Sequence, residues 1–264
     1  MSWLVSKHAR TLTKLLFLVV VATLFRLREW KSVPVFGDME WFFTSAKLAL
    51  ITGILPTLGI TASITWLHQG ALWTYLLLLP QALALPAQAF TLIGGILAII
   101  LAYFAAGPVA AVIMALLPFA ITQSLTAYHT SLIPLFFFTA YLCLLRKKWF
   151  LSGLFLGFLY QLHLLTFIYW PLFIYLLIKQ QGKLKHFSLG FVFGIIPFIL
   201  AGPIQLGGIF IWAAKQLVTG FTGVSSGIST AYLAVLLPLA ILLLGWMLKW
   251  LNAYRRGSDP KRGG

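Results

Sequence analysis

Apolar and polar positions along this chain do not alternate; they separate into blocks. The apolar blocks are Leu12–Leu27, Leu72–Leu85, Phe90–Ala106, Val109–Thr122, Leu132–Leu145, Trp149–Ile178, Phe187–Ala201 and Ala231–Trp250. Each is continuous and rich in Leu, without the ten-residue in-out alternation of a membrane barrel, so the blocks predict helices and strands are not expected. A helix needs about 20 apolar residues to cross a bilayer. The pattern therefore predicts an all-α, polytopic transmembrane bundle of roughly 7–9 spans. Between the first and second blocks lies a polar stretch, residues 28–70, expected to be an external loop. Within it Met39–Ile51 is aromatic and apolar with Lys47 interrupting, too short to span and suited to a helix lying along the interface. Gly53 and Pro56 should end that helix.

Several details refine the count. Tyr160-Gln161-Leu162-His163 is a polar centre within Trp149–Ile178, which predicts a hairpin of two short spans. The Gly-rich segment Gly202–Thr230 contains its own apolar stretch, Ile209–Val218, which could dip into the membrane. Residues 1–250 then form one transmembrane module, and 251–264 a disordered, basic cytoplasmic tail. Placing Arg146-Lys147-Lys148 inside puts 123–131 outside, on the same side as 28–70. Three spans cannot join two points on one side. One of the blocks between 72 and 122 is then re-entrant or interfacial, or the orientation is reversed. Leu72–Leu85, short, broken by Pro80 and ended by Pro86, is the expected non-spanning one.

Composition strengthens this reading. Hydrophobic residues make up 61% of the chain and charged residues 9%, with a mean hydropathy of +0.98. A soluble domain carries about 25% charged residues, and too few are present here to cover a water-facing surface. The net charge of +15 does not point to nucleic acid, because most of the 19 Lys and Arg fall in clusters at block ends. These are Lys7/Arg10/Lys14, Arg146–Lys148, Lys179/Lys183/Lys185 and Lys249 with Arg255/Arg256/Lys261/Arg262, a placement typical of cytoplasmic loops beside anionic lipid. The first block resembles a signal peptide but runs into Arg26-Leu27-Arg28 without a small-x-small cleavage site. It is expected to stay as an uncleaved anchor, giving a multi-pass cell-membrane protein with a cytoplasmic N-terminus. The single Cys143 excludes an intrachain disulfide and a cysteine metal site.

Acids are scarce: Glu29, Asp38, Glu40 and Asp259. The first three crowd into the external loop. The simplest role for Asp38 and Glu40 is to face water at the start of the interfacial helix, or for Asp38 to cap it. Arg26, Arg28 and Lys31 stand beside them, against the positive-inside bias, as cations able to hold a phosphate at headgroup level. Trp41, Phe42 and Phe43 offer faces to a lipid tail or sugar ring. A carboxylate beside a phosphate-binding cation can displace a phosphate leaving group. His68 could donate to phosphate or sugar, with Gln69 next to it. His163 reads first as a hydrogen-bonded structural residue, and His129 is expected outside with no motif around it. No two histidines share ligand spacing, so no metal site is expected, and no cofactor is implied.

The segments Val35-Phe36-Gly37-Asp38-Met39-Glu40-Trp41-Phe42, Gly53-Ile54-Leu55-Pro56-Thr57-Leu58-Gly59, Thr61-Ala62-Ser63 and Leu67-His68-Gln69-Gly70-Ala71-Leu72-Trp73-Thr74-Tyr75-Leu76-Leu77 carry a resemblance to a family. Together they resemble the start of the membrane-embedded GT-C glycosyltransferases, of the dolichyl-phosphate-mannose protein mannosyltransferase (family 39) type. Gly107-Pro108, the Ser124–Leu132 turn and Gly153…Gly157…Gln161-Leu162-His163 are also similar, and the resemblance extends over roughly residues 10–200.

The resemblance implies a transferase that moves a sugar from a polyprenyl-phosphate carrier to an acceptor hydroxyl on the outer face, with inversion. It maps the catalytic base onto Asp38, with Glu40 as a second acid, and it makes Arg26 or Arg28 the holder of the carrier phosphate. Members of the family usually continue with further spans and often a soluble C-terminal domain. At 264 residues this is a short form: a minimal module, a subunit needing a partner, or an inactive relative. The alternatives are a flippase or transporter for lipid-linked sugar, though no internal repeat of the transporter kind is visible, and a non-catalytic membrane subunit.

Overall fold

A computed structural model describes residues 2–31, 33, 37–61, 67–202, 205, 207 and 208. Contacts divide the chain into two units, Met1–Leu206 and Gly207–Gly264, and the described residues belong almost wholly to the first. The expected Ile209–Val218 dip, the Ala231–Trp250 span and the tail lie outside them.

Among the described residues the first unit is all-α apart from one short hairpin. Its helices are α1 (Ser2–Arg28), α2 (Gly37–Thr52), α3 (Leu72–Ala82), α4 (Ala87–Ala106), α5 (Pro108–Leu116) and α6 (Pro118–Leu125), then α7 (Ile133–Leu145), α8 (Trp149–Leu162), α9 (Trp170–Lys179), α10 (Leu184–Gly194) and α11 (Ile196–Ala201). Single 3-10 turns, His129–Leu132 and Leu164–Tyr169, lead into α7 and α9. The hairpin pairs β1 (Leu58–Thr61) with β2 (His68–Gly70), antiparallel, inside the stretch read from sequence as a loop.

The helices are shorter than the blocks that predicted them because prolines and turns cut the blocks. Among the described residues α4 alone is long and apolar enough to cross a bilayer by itself; the pair α5–α6 passes only when taken together, and it is bent by 67°. That bend sits at Leu117, which precedes Pro118 and is forced out of helical geometry to ψ 122°. Leu72–Leu85, the block expected not to span, is also too short to cross. There α3 keeps Pro80 within its last turns and spans 11 residues, about 17 Å at 1.5 Å per residue. Trp149–Ile178 divides at His163 into α8 and α9, as its polar centre suggested, but each helix is shorter than a bilayer crossing needs.

Helices α3, α7 and α9 end alike. Ala84, Lys147 and Gln181 take left-handed φ of 52°, 57° and 51°. The next amide reaches back to the carbonyl five residues earlier: Leu85 to Pro80, Lys148 to Cys143 and Gly182 to Leu177, each at 2.8 Å. These are Schellman stops, and each reverses the chain within a few residues.

The main core joins Phe42 and Ala46 of α2, Trp73 and Leu77 of α3, Phe136 and Leu144 of α7, Leu159 of α8, Phe173 of α9 and Phe187 of α10. A second cluster sets three alanines around Ile99, with Ala22, Ala111 and Ala115 joining α1 and α5 to α4. The closest approach is between α8 and α10, which run side by side in the same direction. A Cβ on Gly153 would fall on the Phe187 carbonyl, one on Gly190 on the Phe150 carbonyl, and Gly157 faces Gly194. Each helix thus offers a Gly-x-x-x-Gly pair to the other, the spacing that lets two backbones touch along a common face.

The burial pattern is inverted relative to a water-soluble helix. Along α4 the inward positions are Thr91, Gly94, Gly95, Ala98, Ile99 and Ala102, small but for Ile99, while Ile93, Leu97 and Phe104 face out. On α1, Phe17 is 71% exposed and Leu24 61%, yet Arg26 is completely buried. The Arg26 guanidinium donates through Nε to Ser124 Oγ (2.8 Å), through Nη1 to the carbonyls of Ala22 (3.1 Å) and Ala115 (3.0 Å), and through Nη2 to the carbonyl of Met114 (2.9 Å). Met114 and Ala115 lie in the last turn of α5, where carbonyls lose their helical partners. Arg26 replaces those partners and ties α1 to both halves of the bent pair. Arg26→Met should therefore leave acceptors buried and unpaired, each costing about 1–3 kcal/mol. A lower thermal midpoint in detergent is expected, and Arg26→Lys should recover only part of it, since one ammonium cannot copy the planar fork.

Candidate functional site

Asp38 lies in the first turn of α2, inside the helix and not at its cap, with its side chain exposed. The hydroxyl of Tyr128 donates to Asp38 Oδ2 at 2.9 Å, bridging ninety positions of sequence. Tyr128 comes from the turn between α6 and α7, and its ring lies 3.9 Å from that of His129 (centroid to centroid). The His129 ring in turn stacks on His163 at 5.5 Å, the planes 18° apart. Phe42 packs its ring against both His129, at 5.3 Å, and Tyr128, at 6.1 Å. Trp41, partly exposed, meets Phe42 edge to face. Four segments thus converge: the start of α2, the turn before α7, the end of α8 and the 3-10 turn that follows it.

Local structure explains why these side chains hold still. His163 has extended backbone, φ −155° and ψ 124°, which stops α8; its Nδ1 accepts from the amide of Leu165 at 3.2 Å. That bond places the ring proton on Nε2. Gln69 fastens β2 to the same place, its Oε1 accepting from the amide of Leu164 at 3.0 Å. Gly70 presses against the backbone of Gln161, leaving no room for a side chain, and Gln161 donates to the carbonyl of Gly194. The β hairpin, α8 and α10 are therefore locked together at Gln161, two residues before His163.

Electrostatics separate an exposed acid from two histidines held neutral by burial. The Tyr128 phenol is pushed above its ordinary value by burial first, then by its bond to Asp38 and by the carboxylate's charge, so it remains a donor at neutral pH. Burial, followed by the charge of His163, lowers His129 from the ordinary histidine value to about 3. Burial lowers His163 as well. His129 Nδ1 is buried with no hydrogen-bond partner.

Because His129 titrates near 6.5 when unfolded and near 3 when folded, the unfolded chain binds more protons between those values. Stability should be fully present above about pH 6.5 and fall as pH drops through that window, by up to ~1.4 kcal/mol per pH unit for one proton. Thermal midpoints recorded from pH 7.5 to 5 should show this loss, and His129→Gln should flatten it.

The other residues singled out from sequence are placed as follows. Glu40 is exposed in the first turn of α2. Arg28 ends α1 with its side chain 79% exposed, 3.8 Å from Glu29, and Lys31 is exposed just beyond. Arg26 is committed to the helix packing described above. His68 is half-buried in the hairpin, its Nδ1 3.1 Å from the Gly59 carbonyl and its amide donating to Gln205 Oε1 at 3.0 Å. The structure brings Asp38, Trp41 and His163 together through Phe42, Tyr128 and His129. Sequence reasoning did not assign Tyr128 to the site and set His129 aside for want of a motif. The one hint was that both fall in the Ser124–Leu132 turn. Among the described residues no group of three or more His, Cys, Asp or Glu side chains is arranged to hold a metal ion.

Comparison of the chain with protein-family models, with curated proteins and with solved structures finds no match.

Proposed function

We propose that the chain is a polytopic membrane protein that transfers a sugar from a polyprenyl-phosphate carrier to an acceptor hydroxyl at the membrane's outer face. The observation that carries the reading is the pair Asp38–Tyr128: an exposed carboxylate held by a half-buried phenol at one end of a helical bundle. Tyr128 occupies one oxygen of Asp38 and leaves the other free to accept a proton. In the proposed step the acceptor oxygen attacks the anomeric carbon as the bond from that carbon to the carrier phosphate breaks. The proton of the acceptor hydroxyl goes to Asp38, and the electron pair of the broken bond leaves on the polyprenyl phosphate. Arg28 and Lys31, exposed at the end of α1, are the cations available to that phosphate, since the four bonds of Arg26 are made within the protein. Trp41 offers its face to the sugar or the first isoprene units.

Membrane residence is supported by the inverted burial of α1 and α4 and by the many large apolar side chains on the outer surface, far beyond the scattered ones of a soluble monomer. In hydrocarbon, outward Leu and Phe face their own kind, and packing relies on inward Gly, Ala and Thr. The short, bent α5–α6 pair suits a segment lining a protein-bounded cavity.

A direct displacement inverts the anomeric centre. The chain reconstituted with polyprenyl-phosphate-linked sugars should yield a glycoside of inverted configuration, read by NMR coupling constants. Retention, or no product from any such donor and hydroxyl acceptor, would remove this reading.

A further inference from the structure

At the opposite end of α8 from His163, the turn joining α7 to α8 meets the turn joining α9 to α10. Between them is a concavity of about 280 Å³ lined by Lys147, Lys148, Trp149, Phe150, Lys183 and His186, with Leu151 beside them. We infer that this concavity binds the phosphate of an anionic lipid headgroup.

The juxtaposition is built, not incidental. The Gly-x-x-x-Gly contact between α8 and α10 sets the two helix starts side by side, and each is entered from a Schellman stop. Lys147 occupies the left-handed position of its stop at φ 57°, where glycine would sit with less strain. That conformation brings Lys147 and Lys148 to the rim together. The described acids, Glu29, Asp38 and Glu40, all belong to α2 or the link between α1 and α2, so among the described residues no carboxylate lines the concavity to neutralise its lysines. Four basic side chains therefore share a recess whose wall is indole and phenyl. A lipid satisfies both halves, with phosphate oxygens among the ammonium groups and glycerol and upper acyl carbons against Trp149 and Phe150. A free phosphate ion would satisfy only the first. The inference rests on the membrane reading and is independent of the sugar-transfer chemistry.

The test uses the full chain in neutral detergent, titrated with phosphatidylglycerol, with phosphatidylcholine or with inorganic phosphate, and binding read by native mass spectrometry. Phosphatidylglycerol should be retained selectively. The variant Lys147→Gln/Lys148→Gln/Lys183→Gln should lose roughly 100-fold in affinity, at about fivefold per lysine near an anionic surface. A control variant, Lys7→Gln/Arg10→Gln/Lys14→Gln, removes as much charge elsewhere and should bind as the wild type does. Equal losses in the two variants would mean diffuse attraction and overturn the proposal. So would inorganic phosphate competing at the lipid's own concentration, or phosphatidylcholine binding equally well. Because the three lysines are exposed, the first variant should melt as the wild type does, and it should keep sugar transfer. Loss of transfer in wild type would count against the proposed function and leave the lipid result standing.

Discussion

Asp38→Asn is expected to lower sugar transfer by about 10²–10⁴-fold, the usual contribution of a positioned general base. The amide keeps an oxygen that can still accept from Tyr128, so α2 should stay seated and donor binding should persist. What is lost is the ability to take a proton as the acceptor oxygen attacks. Tyr128→Phe makes the complementary perturbation: the base remains but its partner at 2.9 Å is gone. A carboxylate free to rotate out of line should lose about ten- to a hundredfold in kcat. Burial first, then its bond to Asp38 and the carboxylate's charge, keeps the Tyr128 hydroxyl protonated, so it is not itself a proton acceptor at neutral pH. Initial rates of both variants beside wild type, with donor affinity measured separately, check this ordering. A Tyr128→Phe loss larger than that of Asp38→Asn would shift the chemistry to the phenol.

Gly153→Ala and Gly190→Ala should be the most damaging single-methyl additions. Each new carbon would coincide with a backbone carbonyl oxygen of the facing helix, Phe187 or Phe150, and backbone cannot rotate away as a side chain can. The helices must separate, at about 1–3 kcal/mol or more for each variant. Because both methyls relieve themselves by the same separation, the double variant should fall short of the sum. The damage should spread to the site, since Gln161, which bonds to the Gly194 carbonyl, sits against Gly70 and two residues before His163. Thermal unfolding in detergent, with exposed Leu151→Ala as a comparison, reads the effect. A midpoint unchanged in both glycine variants would mean that α8 and α10 do not meet face to face.

The helices were legible because apolar blocks and proline breaks are local signals. Met39–Ile51 with Gly53 predicted α2, and the polar centre at Tyr160–His163 predicted the turn after α8. The bend at Leu117 was not distinguished from the proline at position 80. Both are proline effects, and only packing decides which helix absorbs the ring: Pro80 is buried near the end of α3, whereas Leu117 is free to extend.

Within the site, Asp38 drew attention through the rarity of acids. Tyr128 could not be seen as its partner, because a contact across ninety positions leaves no periodicity to detect. Arg26 shows the limit most plainly. An arginine at the end of an apolar block has one sequence signature, whether it faces a phosphate or closes the end of a neighbouring helix. The carbonyls of Met114 and Ala115 become available only because α5 stops beside it. The Gly190-x-x-x-Gly194 spacing was present in the sequence, but nothing local identified Gly153-x-x-x-Gly157 as its counterpart.

The most direct measurement is acceptor-dependent release of polyprenyl phosphate from a polyprenyl-phosphate sugar, with wild-type chain and Asp38→Asn in identical proteoliposomes. The expected result is release by wild type only when an acceptor hydroxyl is supplied, and near-background release by the variant although it inserts, melts and binds donor as wild type does. Equal release by the two proteins, or none from either with intact donor bound, would contradict a transferase built around Asp38.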